Sequence, residues 1–392
     1  MTTLGMRGTG SFAADHRPEN YREKYLMLEP NGSAPLTAIL SMLPSEATDD
    51  PEFHNFRKDL PSFTFTHSGA VSGTSATTLT ATAAADAAFF RIGMLIRNFR
   101  TGEVAKITAT PTSTTFTVTR GIGNGGTGVA INANDTWFMV GNGNAEGGDT
   151  PTAVSYDASS TENFCQIFRT PYSITRTAMH TNFRTGDQYL EKSRDALKEH
   201  MVGMERAMLF GKKDIVAGSA GMPERYTDGI FNSITTNVED ASANTNANRL
   251  TEAEFDTFLA EKAFAFGSSE KLMLCGWKVA EHLQTLAKSR YQINSTGTGD
   301  SYGVNFTTYN TFAGTLQVKT HPMFRQIPGA QFDAIILDTK DLRYRYVDDT
   351  QLLKDRQGNG VDGVTDEYLT EAGLEILQEK THAVITSWQS LT

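Results

Sequence analysis

The sequence predicts an α+β protein, built as one interrupted body with an N-terminal arm and an inserted all-β module. Three observations predict it. A threonine-rich stretch between residues 64 and 150 alternates side chains with the period of a strand. A single long helical stripe follows, with Leu190, Leu197, Met201, Met204 and Met208 spaced at multiples of about 3.6 residues. Beyond Thr251, helix and strand patterns interleave to the end of the chain.

Residues 1–60 do not read as a domain. Gly5, Gly8, Gly10 and Pro18 punctuate a polar run, and Leu36–Leu43 is a short apolar helix candidate. Asp49, Asp50 and Pro51 then open a second short helix through Phe53, Phe56 and Leu60. Pieces this short cannot bury their own apolar faces, so the segment is expected to lie as an arm on a neighbour's surface.

Within the threonine-rich stretch, Ile92–Ile96, Glu103–Ile107, Thr115–Arg120 and Thr136–Val140 are strand candidates between Gly, Asn and Ser turns. Cys165–Met179 follows as an extended strand or strand pair. Thr185 and Gln188 have the spacing of a capping box for the long helix, which ends at Gly211. Residues 212–249 are loop-rich. Thr251 and Glu254 form a second capping box, with Leu250 and Phe255 placed as a hydrophobic staple. Phe255, Phe258, Leu259 and Phe266 are the expected buried face of that helix. Lys271–Cys275 reads as a buried strand, Trp277–Lys288 as a helix, and Thr315–Thr320, Phe332–Leu337 and Leu342–Val347 as strands. The last strand, Thr381–Ser387, is expected to pair with Glu371–Gln378.

Composition narrows function. The 35 basic and 45 acidic side chains leave a net charge of −10, with no Lys/Arg cluster suited to gripping phosphates. The two cysteines, Cys165 and Cys275, lie in no metal-binding or disulfide pattern. Met1–Asp15 lacks the apolar core of a signal peptide, and no run of about 18 apolar residues is present.

Single motifs carry little chemistry. Gly121-Ile-Gly123-Asn-Gly125-Gly126 matches a dinucleotide fingerprint in letters, but no helical pattern follows to bring an N-terminus to a pyrophosphate. Asp355, Gln357, Asn359 and Asp366 fall at the spacing of calcium-loop ligands, and a plain turn is the favoured reading because Gln and Asp occupy mismatched positions. The eight histidines are scattered, and Asp338 and Asp341 read as turn residues at a strand end.

The order of parts is more informative. Ala34-Pro-Leu-Thr-Ala-Ile-Leu40 and Asp50-Pro-Glu-Phe53 precede the excursion. Arg100-Thr-Gly-Glu-Val104 and Thr119-Arg-Gly121 lie within it, and Ala145-Glu-Gly147 and Asn163-Phe-Cys-Gln-Ile-Phe168 mark its exit. In this order the chain resembles the tailed-bacteriophage major capsid proteins of HK97-like fold, in the branch with a Thr/Gly-rich β insertion in the E-loop. One departure is His54-Asn-Phe56, where a tryptophan is expected.

The resemblance implies an arm over residues 1–48, an E-loop at 49–63 and 149–170, and an inserted β module at 64–148. It further implies a peripheral domain at 171–249 with a spine helix at 187–211, an axial domain near 250–365, and return strands at 366–392. It implies a virion protein, made in the host cytoplasm, that assembles as hexamers and pentamers into an icosahedral shell around double-stranded DNA. No catalytic residue, cofactor or membrane contact is carried over. Scaffold, portal and decoration proteins are the expected partners beside the chain itself. Phe53, Phe56, Arg57, Lys58, Glu146 and Asp149 are the expected assembly contacts. The rival readings are an encapsulin-like shell around protein cargo, and a β-rich tail protein or enzyme.

Overall fold

The computed structural model describes residues 30, 33–147, 153, 155–218, 221–243, 250–289 and 308–389. The chain divides into two compact units: Phe56–Ser159, and a body formed by Met1–Asn55 with Ser160–Thr392.

The Phe56–Ser159 unit is a six-stranded sheet in the order Thr64–Thr66, Thr136–Asn142, Met94–Asn98, Val104–Ile107, Thr115–Thr119, Thr78–Thr80. The two outer strands in that order also meet. His67 bridges Ala81, and the Thr82 and Ser68 amides donate to the Thr66 and Thr80 carbonyls, both at about the length of a ladder bond (2.8 and 2.9 Å). The sheet therefore closes into a small barrel. Alternation sets its interior: in Thr115–Thr119 the residues Phe116 and Val118 point inward and the threonines outward. Phe65, Phe90, Phe116 and Trp137 fill the centre, with Phe65 and Phe116 stacked at 4.2 Å. The glycine-rich run Gly121–Gly126 is a loop with Gly121, Gly123, Gly125 and Gly126 all at positive φ, and no helix follows it.

The body contains two sheets. In the first the order is Ser45–Ala47, Leu342–Leu353, Gly363–Ile376, Gln166–Thr175. In the second it is Val238–Asp240, Ala383–Thr386, Ala334–Leu337, Glu270–Cys275, Thr315–Thr320, Thr308–Asn310. The central strands of the second sheet are buried on both faces. Leu272 and Leu274 join a core with Ile39, Met208, Leu209 and Phe324, while Met273 and Cys275 join Phe255, Leu259, Val279 and Trp388. Period-two geometry thus divides one strand between two cores.

Several expectations change. Glu52–Arg57 is a strand paired with Ser159–Phe164, not a helix. Residues three apart share a helix face but lie on opposite faces of a strand, and so Phe53 is 7% exposed and Phe56 78%. The described arm residues dock on their own body rather than needing a neighbour. Ala34, Ala38, Ile39 and Leu43 enter its first core, and Ser45–Ala47 adds a parallel edge strand to Tyr344–Tyr346.

The long helix, Gln188–Phe210, is present, but its buried side is Ala196, His200, Met204, Glu205, Met208 and Leu209. Leu190 and Leu197 are 52% and 39% exposed. Apolar spacing alone misplaced the stripe, because two buried positions are polar. The cap is Asp187, whose carboxylate accepts from the Tyr189 amide at 2.9 Å, while Gln188 donates to the Thr185 hydroxyl.

The Thr251–Glu254 capping box is formed, and Leu250 and Phe255 are both buried. That helix continues into a π turn, Leu259–Ala263, which shifts the register so that Ala263 is buried and Phe266 is 59% exposed. The last strand, Ala383–Thr386, pairs in parallel with Val238–Asp240 and antiparallel with Ala334–Ile336. Gly363–Ile376 instead lies between Leu342–Leu353 and Gln166–Thr175. The 3-10 turn Glu379–Thr381 separates these neighbours in sequence and sends them to different sheets.

Candidate assembly surfaces and the clamps behind them

Two arginine clamps hold the loops at one end of the barrel. Arg120 donates through Nε and Nη2 to the two oxygens of Glu103 at 2.8 and 2.7 Å, and both side chains are 2% exposed. Further bonds are local: Arg120 also donates to the Gly73 and Val129 carbonyls, and Glu103 accepts from the Val129 amide. Arg100 makes a second bidentate pair with Asp135, at 2.7 Å for both bonds. The Arg100 guanidinium, helped by the Asn132 amide and Asn98, holds the Asp135 carboxyl well below the usual range against the opposing effect of burial. Next to Arg100, Phe99 is 80% exposed at the hairpin tip. Three of the four clamp residues, Arg100, Glu103 and Arg120, fall within Arg100–Val104 and Thr119–Gly121, so those short runs encode polar pairing, while Asp135 lies outside them. Their signal in the sequence was isolated charge in a stretch otherwise rich in Thr and Gly.

A third clamp holds the arm. Glu205 is fully buried on the long helix, and its two oxygens accept from the Ile39 and Leu40 amides at 2.7 and 3.0 Å. These amides belong to the first turn of the arm helix, Ala38–Met42, where intrahelical acceptors are lacking. His321 completes the site. Its Nδ1 accepts from the Met323 amide, which leaves Nε2–H to donate to Glu205 at 3.2 Å. Nothing in the sequence distinguished Glu205 from the solvated acids around it.

Other buried polar groups are also tied internally. His200 lies between the Thr170 and Thr370 hydroxyls at 3.0 and 2.8 Å, and burial pushes its imidazole below the ordinary value. Lys271 donates to the Ala263, Phe266 and Thr381 carbonyls, and burial lowers its ammonium to about 8. Burial raises the thiols of Cys165 and Cys275 to about 12.

The expected contact residues divide. Phe53 is buried in the body, whereas Phe56 and Lys58 are exposed and Arg57 is half-buried. Glu146 sits exposed in a turn of the barrel unit, and Asp149 lies outside the described residues. Of the calcium-spaced residues, Asp366 is fully buried, with Oδ2 accepting from the Tyr189 and Tyr172 hydroxyls and Oδ1 from the Asp355 amide. Gln357 accepts from the Thr365 amide, which makes the segment a self-bonded turn. Glu52, His54 and Glu162 bring ligand-type atoms within 4.8 Å of one another. That group is a same-face consequence of strand spacing, and Lys213 already pairs with Glu162 at 3.3 Å.

The buried groups Arg120, Glu103 and Glu205 thus serve as internal clamps, and Phe56, Leu60, Phe99 and Phe312 stand 78–88% exposed. The chain belongs to the SU10 major capsid protein family, matching it over residues 3–389. It is a major capsid protein of a phage, a structural component of the head that assembles in multiple copies. It is 27% identical to the major capsid protein of Pseudomonas phage PaMx41, over 92% of this chain and 90% of the relative. Among solved structures it is similar to the capsid of an empty GTA particle, with 8% identity and a TM-score of 0.49 over 97% of this chain and 98% of that one. It is also similar to the SrpI encapsulin of Synechococcus elongatus PCC 7942, with 11% identity and a TM-score of 0.41 over 60% and 79% of the two chains.

Proposed function

We propose that the chain assembles as hexamers and pentamers into an icosahedral head enclosing double-stranded phage DNA. The observation that carries this reading is the family match across nearly the whole chain. The domain roles follow the same reading. Residues 1–48 act as the arm, 49–63 and 149–170 as the E-loop, and 64–148 as its β insertion. The spine helix at 187–211 belongs to the peripheral domain (171–249), residues 250–365 form the axial domain, and 366–392 form return strands. The protein is made in the host cytoplasm and meets scaffold, portal and decoration proteins there. It has no catalytic role.

The net charge of −10 suits a container that encloses DNA without gripping it, since like charges repel. Expression of the full chain, followed by size-exclusion chromatography and negative-stain microscopy, tests the proposal. Megadalton particles are expected, and head particles purified from infected cells should contain DNA. A discrete small oligomer under all conditions would sink it. Protein cargo in place of nucleic acid would favour an encapsulin-like compartment.

A further inference from the structure

The body carries a cleft of about 270 Å³ at the start of strand Gln166–Thr175, which is the outer strand of its sheet. That volume is below the roughly 300–1,000 Å³ of small-molecule sites and suits one protruding side chain. Ile167, Pro223 and Tyr226 supply apolar wall, with Ile167 55% and Tyr226 37% exposed. Glu224, Arg225 and Glu371 supply the polar lining.

Glu371 stands directly opposite Asp348 in the strand register, and like charges in that relation repel. Burial and Asp348 both raise the Glu371 carboxyl, and Arg225 opposes them only in part. The cleft therefore favours a guest with an apolar body and a cationic neighbour.

Among the described residues three phenylalanines are more than three-quarters exposed: Phe56 at 78%, Phe99 at 80% and Phe312 at 88%. Phe312 is followed by Ala313 and Gly314 and brings no charge. Phe99 is followed by Arg100, which is already committed to Asp135. Phe56 is followed by Arg57 and Lys58. Lys58 is exposed, with its ammonium 4.9 Å from the centre of the Tyr156 ring. We propose that Phe56-Arg57-Lys58 of a second copy docks in this cleft, with Phe56 between Ile167, Pro223 and Tyr226 and Lys58 over Glu371 and Glu224. The inference rests on the shell reading and names the partner surfaces within it.

Paired cysteines test the contact. In particles formed by the full chain carrying Phe56→Cys and Tyr226→Cys together, mild oxidation should yield dimers and longer ladders on a non-reducing gel. Either single substitution should yield none. Separately, Phe56→Ala should raise the concentration needed for assembly by about tenfold or more, as expected of a central anchor. Lys58→Glu should do the same, with Glu371→Lys restoring assembly. Absence of particles from the unsubstituted chain would overturn the shell reading and this contact together. Particles whose double-cysteine form stays monomeric on the gel, or whose assembly ignores Phe56→Ala, would overturn the contact alone.

Discussion

Glu205 holds Ile39 by accepting its backbone amide at 2.7 Å inside a fully buried site, although 166 residues separate the two. The carboxylate substitutes for the acceptor that the first turn of a helix lacks, and so a residue of the long helix determines where the arm lies. Removing it leaves one buried and one partly buried amide without this partner. Glu205→Ala is expected to cost about 2–4 kcal/mol, because unmet buried donors carry their full desolvation penalty. Thermal unfolding would measure the loss, and limited proteolysis should show earlier cleavage around residues 33–47. An unchanged melting temperature with an unchanged cleavage pattern would contradict the clamp.

Arg120 and Glu103 behave differently when broken singly and together. Arg120→Met alone should destabilise the barrel by roughly 3–5 kcal/mol, since it strands a buried carboxylate. The double variant with Glu103→Leu should recover part of that loss, because an apolar pair needs no desolvated charge. A double-mutant cycle read by denaturant unfolding tests this. Simple additivity would refute the coupling.

The barrel has a core of its own, built around Phe65, Phe116 and Trp137. Residues 56–159 expressed alone are expected to unfold cooperatively, with the near-ultraviolet signal of ordered aromatic side chains. Deleting residues 64–148 and closing the gap with a short linker should leave soluble subunits with fragile or absent shells. Normal shell yield and heat resistance in the deletion would count against a role for the barrel in assembly.

His200 predicts a pH dependence with a definite sign. Burial holds its folded-state value below the ordinary 6.5, so below that pH the unfolded chain binds a proton that the folded chain resists. Stability should therefore fall as pH drops below about 6.5, and His200→Gln should flatten that part of the profile. Asp135 acts in a lower window. Its folded value lies below the ordinary 3.8, so its contribution persists above that pH and is lost only on further acidification. A melting curve flat from pH 7 to 5 in the unsubstituted protein would argue against the His200 effect.

Neither cysteine should react while the chain is folded. Cys165 and Cys275 are 1% and 0% exposed, and their thiols are raised to about 12, which keeps the reactive thiolate scarce. A colorimetric thiol reagent should register both only after denaturation. Rapid labelling of either in native protein would show that its site opens.

Much of the local architecture was legible because it depends on neighbouring letters. The Thr251–Glu254 box, the staple of Leu250 and Phe255, and the alternation through Phe116 and Val118 are short-range patterns that packing did not overrule. Long-range choices were less visible. Phe53, Phe56 and Leu60 fit a helix by spacing, and only pairing with Ser159–Phe164 makes that segment a strand. The buried stripe of the long helix departs from its apolar spacing where His200 and Glu205 face inward, since a buried polar residue is justified by partners distant in sequence. The same holds for the proposed contact: Phe56 and Lys58 lie in one short run, whereas the cleft at Ile167 and Tyr226 is assembled from separate segments and carries no local signature.

Closure of the barrel through His67 and Ala81 has a practical consequence. Each of its six strands has a neighbour on both sides among the described residues, which leaves no edge for a foreign strand to extend. Contact with this unit must run through side chains and loops, and its loops can then be altered without exposing a template for aggregation. The turn around Gly123, Gly125 and Gly126 has open space at each of these positions. A peptide inserted there would be displayed on a scaffold whose strand order is already complete.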